Sequence, residues 1–127
     1  MRDLRLVTHL IPHEEYNLIH AIEIANSIEK IGLRYPVVVD DPTGIILDGH
    51  HRVMAYKILE LDLIPVIAVK MTHPNIVLEW RREEFSKNTK EDVFVRALDG
   101  MPYPQKTTRF MYLDEHSILR KLWELIR

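Results

Sequence analysis

The segment Ile45-Ile46-Leu47-Asp48-Gly49-His50-His51-Arg52 joins three β-prone residues directly to a polar knot, with no linker between them. A junction of this kind builds sites. The apolar run predicts a strand, and Gly49 permits a tight turn that a Cβ would obstruct. An acid, two imidazoles and a guanidinium are packed into Asp48–Arg52. The helix expected from about Arg52 to Leu61 turns its first, unpaired amides toward Gly49 and His50, where the helix dipole places about half a positive elementary charge. Phosphate is the anion best suited to such a turn. The plainer reading is a strand-to-helix turn capped by Asp48. No H-x-x-x-H or H-x-x-E-H spacing supports zinc, so the paired histidines are read as phosphate donors or orienters.

Outward from the knot, Pro36-Val37-Val38-Val39-Asp40 predicts a buried strand, and Asp41-Pro42-Thr43-Gly44 a tight turn that returns the 45–47 strand antiparallel beside it. Upstream, Leu4 to Leu10 reads as a first strand ended at Ile11-Pro12. Leu18, Ile19, Ile22, Ala25, Ile28 and Ile31 then recur at helical spacing up to a Gly32 cap. That helix is expected to begin near His13-Glu14-Glu15, whose acids a helix dipole favours in a first turn. Downstream, Leu63 to Val69 and Ile76 to Trp80 are expected strands. Thr89 and Asp92 form a capping box for a helix running to Gly100, and Met101 to Pro104 is an extended loop. The loop delivers Gln105-Lys106-Thr107-Thr108-Arg109, whose hydroxyls and cations suit oxyanions. Asp114 is read as the cap of a terminal helix containing Ile118, Leu119, Leu122, Trp123 and Ile126.

Bulk properties narrow the function classes. With 127 residues, 46% of them hydrophobic and 28% charged, the chain is long and apolar enough for one globular domain. A formal charge of −2 supplies no global field toward nucleic acid or anionic lipid. The lack of cysteine removes disulfides, thiolate catalysis and zinc–thiolate sites, and fits a thermophilic protein. No signal-peptide core or membrane-length apolar run occurs, so a cytoplasmic location is expected.

Asp48-Gly49-His50-His51-Arg52, behind its strand and ahead of an Ala55-containing helix, resembles the D-G-H-H-R signature of the ParB/sulfiredoxin superfamily, in its free-serine-kinase branch. Pro12-His13-Glu14 resembles the P-H-E ahead of that family's first helix, Ser27 and Trp80 fall where the family has substrate-pocket residues, and Lys106-Thr107-Thr108-Arg109 resembles its K-T-T-R element. Five ordered matches between Pro12 and Arg109 are more specific than any one of them, and they displace the cap-only reading of Glu14. Two features depart from the family pattern: a large insertion between the tryptophan and K-T-T-R is missing, and Phe110 stands where a histidine often follows.

The resemblance implies an α+β fold, a compact mixed sheet flanked by helices in a single domain over residues 1–127. It implies transfer of a phosphoryl group from ATP or ADP to free L-serine, giving O-phospho-L-serine, a step of cysteine biosynthesis. Glu14 would be the catalytic base, assisted by Asp48. Gly49, His50, His51, Arg52 and Lys106 would hold the nucleotide, and Ser27, Trp80, Thr107, Thr108 and Arg109 the substrate. Mg²⁺ would be carried mainly by nucleotide phosphates, with Asp48 reaching it through water rather than through a dedicated protein metal site. Neither nucleic acid nor membrane is an expected partner. Sulfiredoxin chemistry needs a cysteine where His50 stands, and the G-E-R-R variant and helix-turn-helix domain of partition proteins are not visible. The alternatives are a non-catalytic nucleotide-binding or DNA-associated regulator and a kinase for another small hydroxyl compound. ATP or ADP as donor, and the oligomeric state, stay open.

Overall fold

The computed structural model describes residues 2–126. In chain order the elements are β1 (Arg2–Leu6), α1 (Leu18–Ile31), β2 (Val37–Asp40), β3 (Ile46–Asp48), α2 (His50–Ile58), β4 (Leu63–Val69), β5 (Ile76–Trp80), α3 (Lys90–Leu98), β6 (Thr108–Leu113) and β7 (Leu119–Lys121). The first sheet has the order β1-β4-β2-β3, with β2 parallel to β4 and the other pairs antiparallel. The second, β5-β6-β7, is antiparallel throughout. The fold is α+β with a mixed sheet, as expected, and the downstream half contributes a second sheet. Among the described residues no helix is long and apolar enough to cross a membrane.

The valine run of β2 explains the layering. Successive side chains on a strand point to opposite faces. Val37 and Val39 enter a layer with Val53 and Tyr56 of α2, whereas Val38 enters a second layer with Ile45, Leu47 and Phe110. All three valines are fully buried. An unbroken apolar run is what a strand covered on both faces requires.

Three boundaries differ from the sequence expectation. β1 ends at Leu6 because the Val7 amide turns to the Asp62 carbonyl and a 3₁₀ turn, Val7–His9, follows. α1 begins at Leu18, capped by Asn17, whose side chain accepts the His20 amide at 3.0 Å. Residues 13–15 are instead extended: the Tyr103 amide donates to the His13 carbonyl and the Glu15 amide to the Tyr103 carbonyl, both at 2.8 Å. Tertiary pairing overrides the acidic helix start, so Glu14 and Glu15 are not first-turn charges. α2 begins earlier than expected, at His50, behind a left-handed Gly49 (φ +108°).

The expected terminal helix is a β-hairpin. Asp114 does cap, but it caps a turn: its carboxylate accepts the His116 and Ile118 amides at 2.8 and 2.9 Å and pairs with Arg120. Ser117 takes φ +60° there, and β7 returns along β6. A short 3₁₀ turn, Leu122–Ile126, follows; the side chain of Ile126 lies outside the described residues.

Two expected outcomes follow from this packing. A Cβ on Gly44 (φ +76°) would lie 2.5 Å from the His9 carbonyl oxygen, in a segment whose own amide and carbonyl are bonded to Asp40 and Ile11. Gly44→Ala therefore destabilises the protein by about 1–3 kcal/mol, lowering Tm by roughly 4–12 °C in a thermal melt. The second outcome concerns the extended 13–15 segment, whose His13 and Glu14 amides both donate to Nε2 of His50. Burial, then the neighbouring His13 and His51, holds the His50 pKa well below the ordinary 6.5, and burial also lowers that of His13. Below pH about 6.5 the unfolded chain binds protons that the folded chain refuses, so stability is complete above that pH and is lost as the pH falls toward the folded values. Guanidinium midpoints at pH 7.5 and 5.5 should show this loss, and His50→Gln should reduce it; a pH-independent midpoint would contradict it.

Candidate active site

A cleft of about 810 Å³ lies between the β3–α2 turn, the segment before α1 and the edge of the second sheet. Glu14 stands in its wall, half-buried. Its carboxylate accepts the Lys106 amide at 3.0 Å on one oxygen and the Thr108 amide at 2.7 Å on the other, where the Thr108 hydroxyl also lies at 2.5 Å. The P-H-E and K-T-T-R segments, 94 positions apart between Glu14 and Thr108, are thus fastened to each other through one side chain. Lys106 adopts φ +57°, the backbone twist that brings its amide and the Thr108 amide to the same carboxylate.

Opposite lies the knot. The first α2 ladder bond runs from the Val53 amide to the Gly49 carbonyl at 3.0 Å, so the His50, His51 and Arg52 amides precede the ladder, as an anion cradle requires. The side chains serve differently. His50, neutral, has its Nε2 lone pair on the His13 and Glu14 amides at 3.1 and 3.3 Å, and so acts as a brace under the Glu14 segment. His51 Nε2 accepts the Asn17 amide at 2.9 Å; burial, then the adjacent His20 ring, lowers its pKa, leaving Nδ1–H as its donor. The Arg52 guanidinium bonds the Tyr35 and Pro36 carbonyls at 2.9 and 3.0 Å and Asp48 at 3.1 Å. A side chain at Gly49 would be strained by its φ of +108°, and a Cβ would press on Val37 and the Arg52 guanidinium at 3.0 Å.

The cleft brings together Glu14, Asp48, Gly49, His50, His51, Arg52, Lys106, Thr108 and Arg109. Three residues expected at the site do not line it. Ser27 sits on the exposed face of α1, beside a separate shallow depression with Asn26 and Lys30. At about 100° per residue it lies roughly 200° around the helix from the buried Ala25. Trp80 meets the Tyr103 ring edge-on at 5.4 Å in the layer between the sheets. Thr107 is completely buried, its hydroxyl donating to the Pro104 carbonyl at 2.6 Å. Thr107 lies just ahead of β6 and is held in the core by its Pro104 bond, while Thr108, the first residue of β6, meets Glu14.

Other residues of the cleft escaped the sequence reading. Arg81 and Lys121 add cations to its wall, and His20, Phe110 and Trp123 line it as well. Arg81 carried a signal: it directly follows Trp80, and its amide bonds the Thr107 carbonyl at 2.7 Å. Lys121 carried none while its segment read as helix. His13 is fully buried behind Glu14, with Nδ1 2.6 Å from the Ile46 carbonyl oxygen, Nε2 2.7 Å from the Thr108 hydroxyl, and the Phe110 ring edge-on at 5.6 Å. Among the described residues no group of three or more His, Asp or Glu side chains is placed to hold a metal ion.

No protein-family model matches the chain. The fold is similar to that of a free serine kinase in complex with AMP, with a TM-score of 0.77 over 98% of this chain and 93% of that one at 14% identity. It is likewise similar to a glutamate-to-alanine variant of free serine kinase in complex with ADP, with a TM-score of 0.76 at 15% identity. C-terminally truncated SbnI from Staphylococcus aureus follows with a TM-score of 0.68 at 13% identity, over 94% of this chain and 85% of that one. Among curated proteins, a ParB-like protein of Sulfolobus acidocaldarius is 34% identical over 95 residues, 72% of this chain, which spans 48% of that relative's length. The ParB-like nuclease domain-containing protein YnaK of Escherichia coli is 35% identical over 69 residues, which are 51% of this chain and 78% of YnaK. With most of YnaK covered at that identity, the chain belongs to the ParB-like family.

Proposed function

We propose that the cleft transfers the terminal phosphoryl group of ATP or ADP to the hydroxyl of free L-serine, giving O-phospho-L-serine. The observation that carries this reading is Glu14, an acceptor held in place by two backbone amides across from the amide-rich start of α2. Likeness of fold to free serine kinase supports the reaction class. Phosphoryl transfer asks a protein chiefly for alignment and charge neutralisation, and the cleft offers a base, an anion cradle and a cationic wall.

In this mechanism the amides of His50, His51 and Arg52, with Gly49 allowing close approach, receive the donor phosphates, and the His51 Nδ1–H is available to them. Arg109 and Lys106 approach from the opposite wall to neutralise the charge developing on the transferring group or the substrate carboxylate. Glu14 takes the proton of the serine hydroxyl as its oxygen attacks phosphorus. Asp48, paired with Arg52 but about 40% exposed at the side chain, orients the nucleophile or holds phosphate-bound Mg²⁺ through water. That arrangement suits an ion that keeps most of its coordination to water and phosphate. When bound, Mg²⁺ supplies charge neutralisation at the phosphates. Trp80 and Thr107 shape the amino-acid pocket from behind, through Tyr103 and the Pro104 carbonyl, and Ser27 is left without a contact to substrate.

Incubation with L-serine, Mg²⁺ and either ATP or ADP should yield phosphoserine by mass spectrometry. Glu14→Ala should reduce turnover by about a hundredfold to ten-thousandfold with an unchanged circular-dichroism spectrum; near-normal turnover in the folded variant would sink the base assignment. Nucleotide binding without product, with either donor, would favour a non-catalytic nucleotide-binding regulator. Turnover of a different small hydroxyl compound would keep the chemistry and replace the substrate.

A further inference from the structure

We propose that the Thr108 hydroxyl relays the proton accepted by Glu14 inward to the buried ring of His13, an inference that rests on the kinase reading for the source of that proton. Thr108 Oγ1 lies 2.5 Å from Glu14 Oε2 and 2.7 Å from His13 Nε2. A hydroxyl carries one hydrogen and can donate to one of them. His13 Nδ1, 2.6 Å from the Ile46 carbonyl oxygen, must carry a hydrogen, because a carbonyl only accepts. In a neutral ring Nε2 is then a lone pair. If Thr108 donates to that lone pair, the contact with Glu14 has no hydrogen unless the carboxyl bears one. If Thr108 donates to Glu14, Nε2 must bear a second hydrogen.

Both contacts are made as hydrogen bonds only when the three groups hold one proton more than a carboxylate and a neutral imidazole. The two arrangements that satisfy them contain the same number of protons. They differ by the shift of two hydrogens across one oxygen. The geometry therefore suits a site that receives one proton, and a proton is what Glu14 takes from the substrate hydroxyl.

The balance of the step is simple. The serine O–H bond breaks as the O–P bond forms, and the P–O bond to the nucleotide breaks with its electron pair staying on the leaving phosphate. The proton reaches Glu14. From there the carboxyl hydrogen passes to Thr108 Oγ1 as the threonine's own hydrogen passes to His13 Nε2, which restores the Glu14 carboxylate and makes His13 an imidazolium. The proton returns by the same route when product leaves. The groups facing the ring are Glu14 from its own segment, His50 from α2 at 4.7 Å between ring centroids, Thr108 and Phe110 from β6, and the Ile46 carbonyl from β3. Burial opposes the imidazolium, while the Glu14 charge and the Ile46 carbonyl favour it. Burial is the largest of these influences, so a proton taken up by the ring is given back.

Two measurements test the relay, and the first needs no turnover. In the ligand-free protein, side-chain ¹⁵N spectra of His13 and the ¹³C carboxyl signal of Glu14 are followed through a pH titration. The relay requires the two signals to move together with a shared midpoint in the wild type and to separate in Thr108→Val, which keeps the β-branched shape without the hydroxyl. Independent midpoints in the wild type would overturn it. The second is a proton inventory of phosphoserine formation in H₂O–D₂O mixtures. The wild type should curve, as more than one hydrogen moves, and Thr108→Val should become linear with kcat lowered roughly tenfold or more. Thr108→Ser should restore curvature and most of the rate. Curvature and rate unchanged in Thr108→Val would also overturn it. No product from a wild type whose His13 and Glu14 signals move together would strike down the kinase reading while sustaining the shared proton.

Discussion

The position of Glu14 depends on one imidazole nitrogen, Nε2 of His50, which accepts the amides of both His13 and Glu14. That nitrogen can accept only while the ring is neutral, since an imidazolium would press a hydrogen against two others. Burial at the head of α2 keeps it neutral. With the two amides so held, and with Tyr103 clamping the same segment from the other side, residues 13–15 cannot enter α1. The Glu14 side chain then has a defined direction, and the Lys106 and Thr108 amides meet it there. A helix start would have satisfied the same backbone groups but would have turned Glu14 toward solvent. The knot thus has two faces: its amides are offered to the cleft, and its His50 side chain holds the Glu14 segment.

Legibility in the sequence followed the kind of force involved. Where burial decides, the residues announce the structure. Val37 to Val39, covered on both faces, read as a core strand, and Thr89 with Asp92 read as the capping box that α3 carries. Local chemistry that serves two structures alike misled. Asp114 can cap a helix or close a turn, and what settles it is the partner strand β6, whose pairing with β7 has no trace in the local residues. Glu14 and Glu15 likewise fit a helix start, and only Tyr103, far along the chain, holds them extended.

At the site, motif resemblance located the segments and could not assign the side chains within them. Lys106-Thr107-Thr108-Arg109 comes to the cleft, yet Thr108 meets Glu14 while Thr107 is buried in the core on the Pro104 carbonyl. Helical periodicity alone already sets Ser27 far around α1 from Ala25. His13 was legible only as part of a motif, because its partners, Ile46 and Thr108, are 33 and 95 positions away.

The charge of the cleft shows why a global balance is a poor guide to what a site binds. The chain is formally at −2. Even so, Arg81, Lys106, Arg109 and Lys121 gather on the wall built by the second sheet and the segments joined to it, facing the α2 amides and the carboxylates of Glu14, Glu15, Glu23 and Asp48 in the first half of the chain. Charges farther apart than about a Debye length are screened, so the local field there is set by the groups lining the cleft and not by the total. The second sheet is therefore more than an appendage to the ParB-like core. It supplies the cations of the cleft wall, and the Ile45, Leu47 and Phe110 layer joins it to the first sheet.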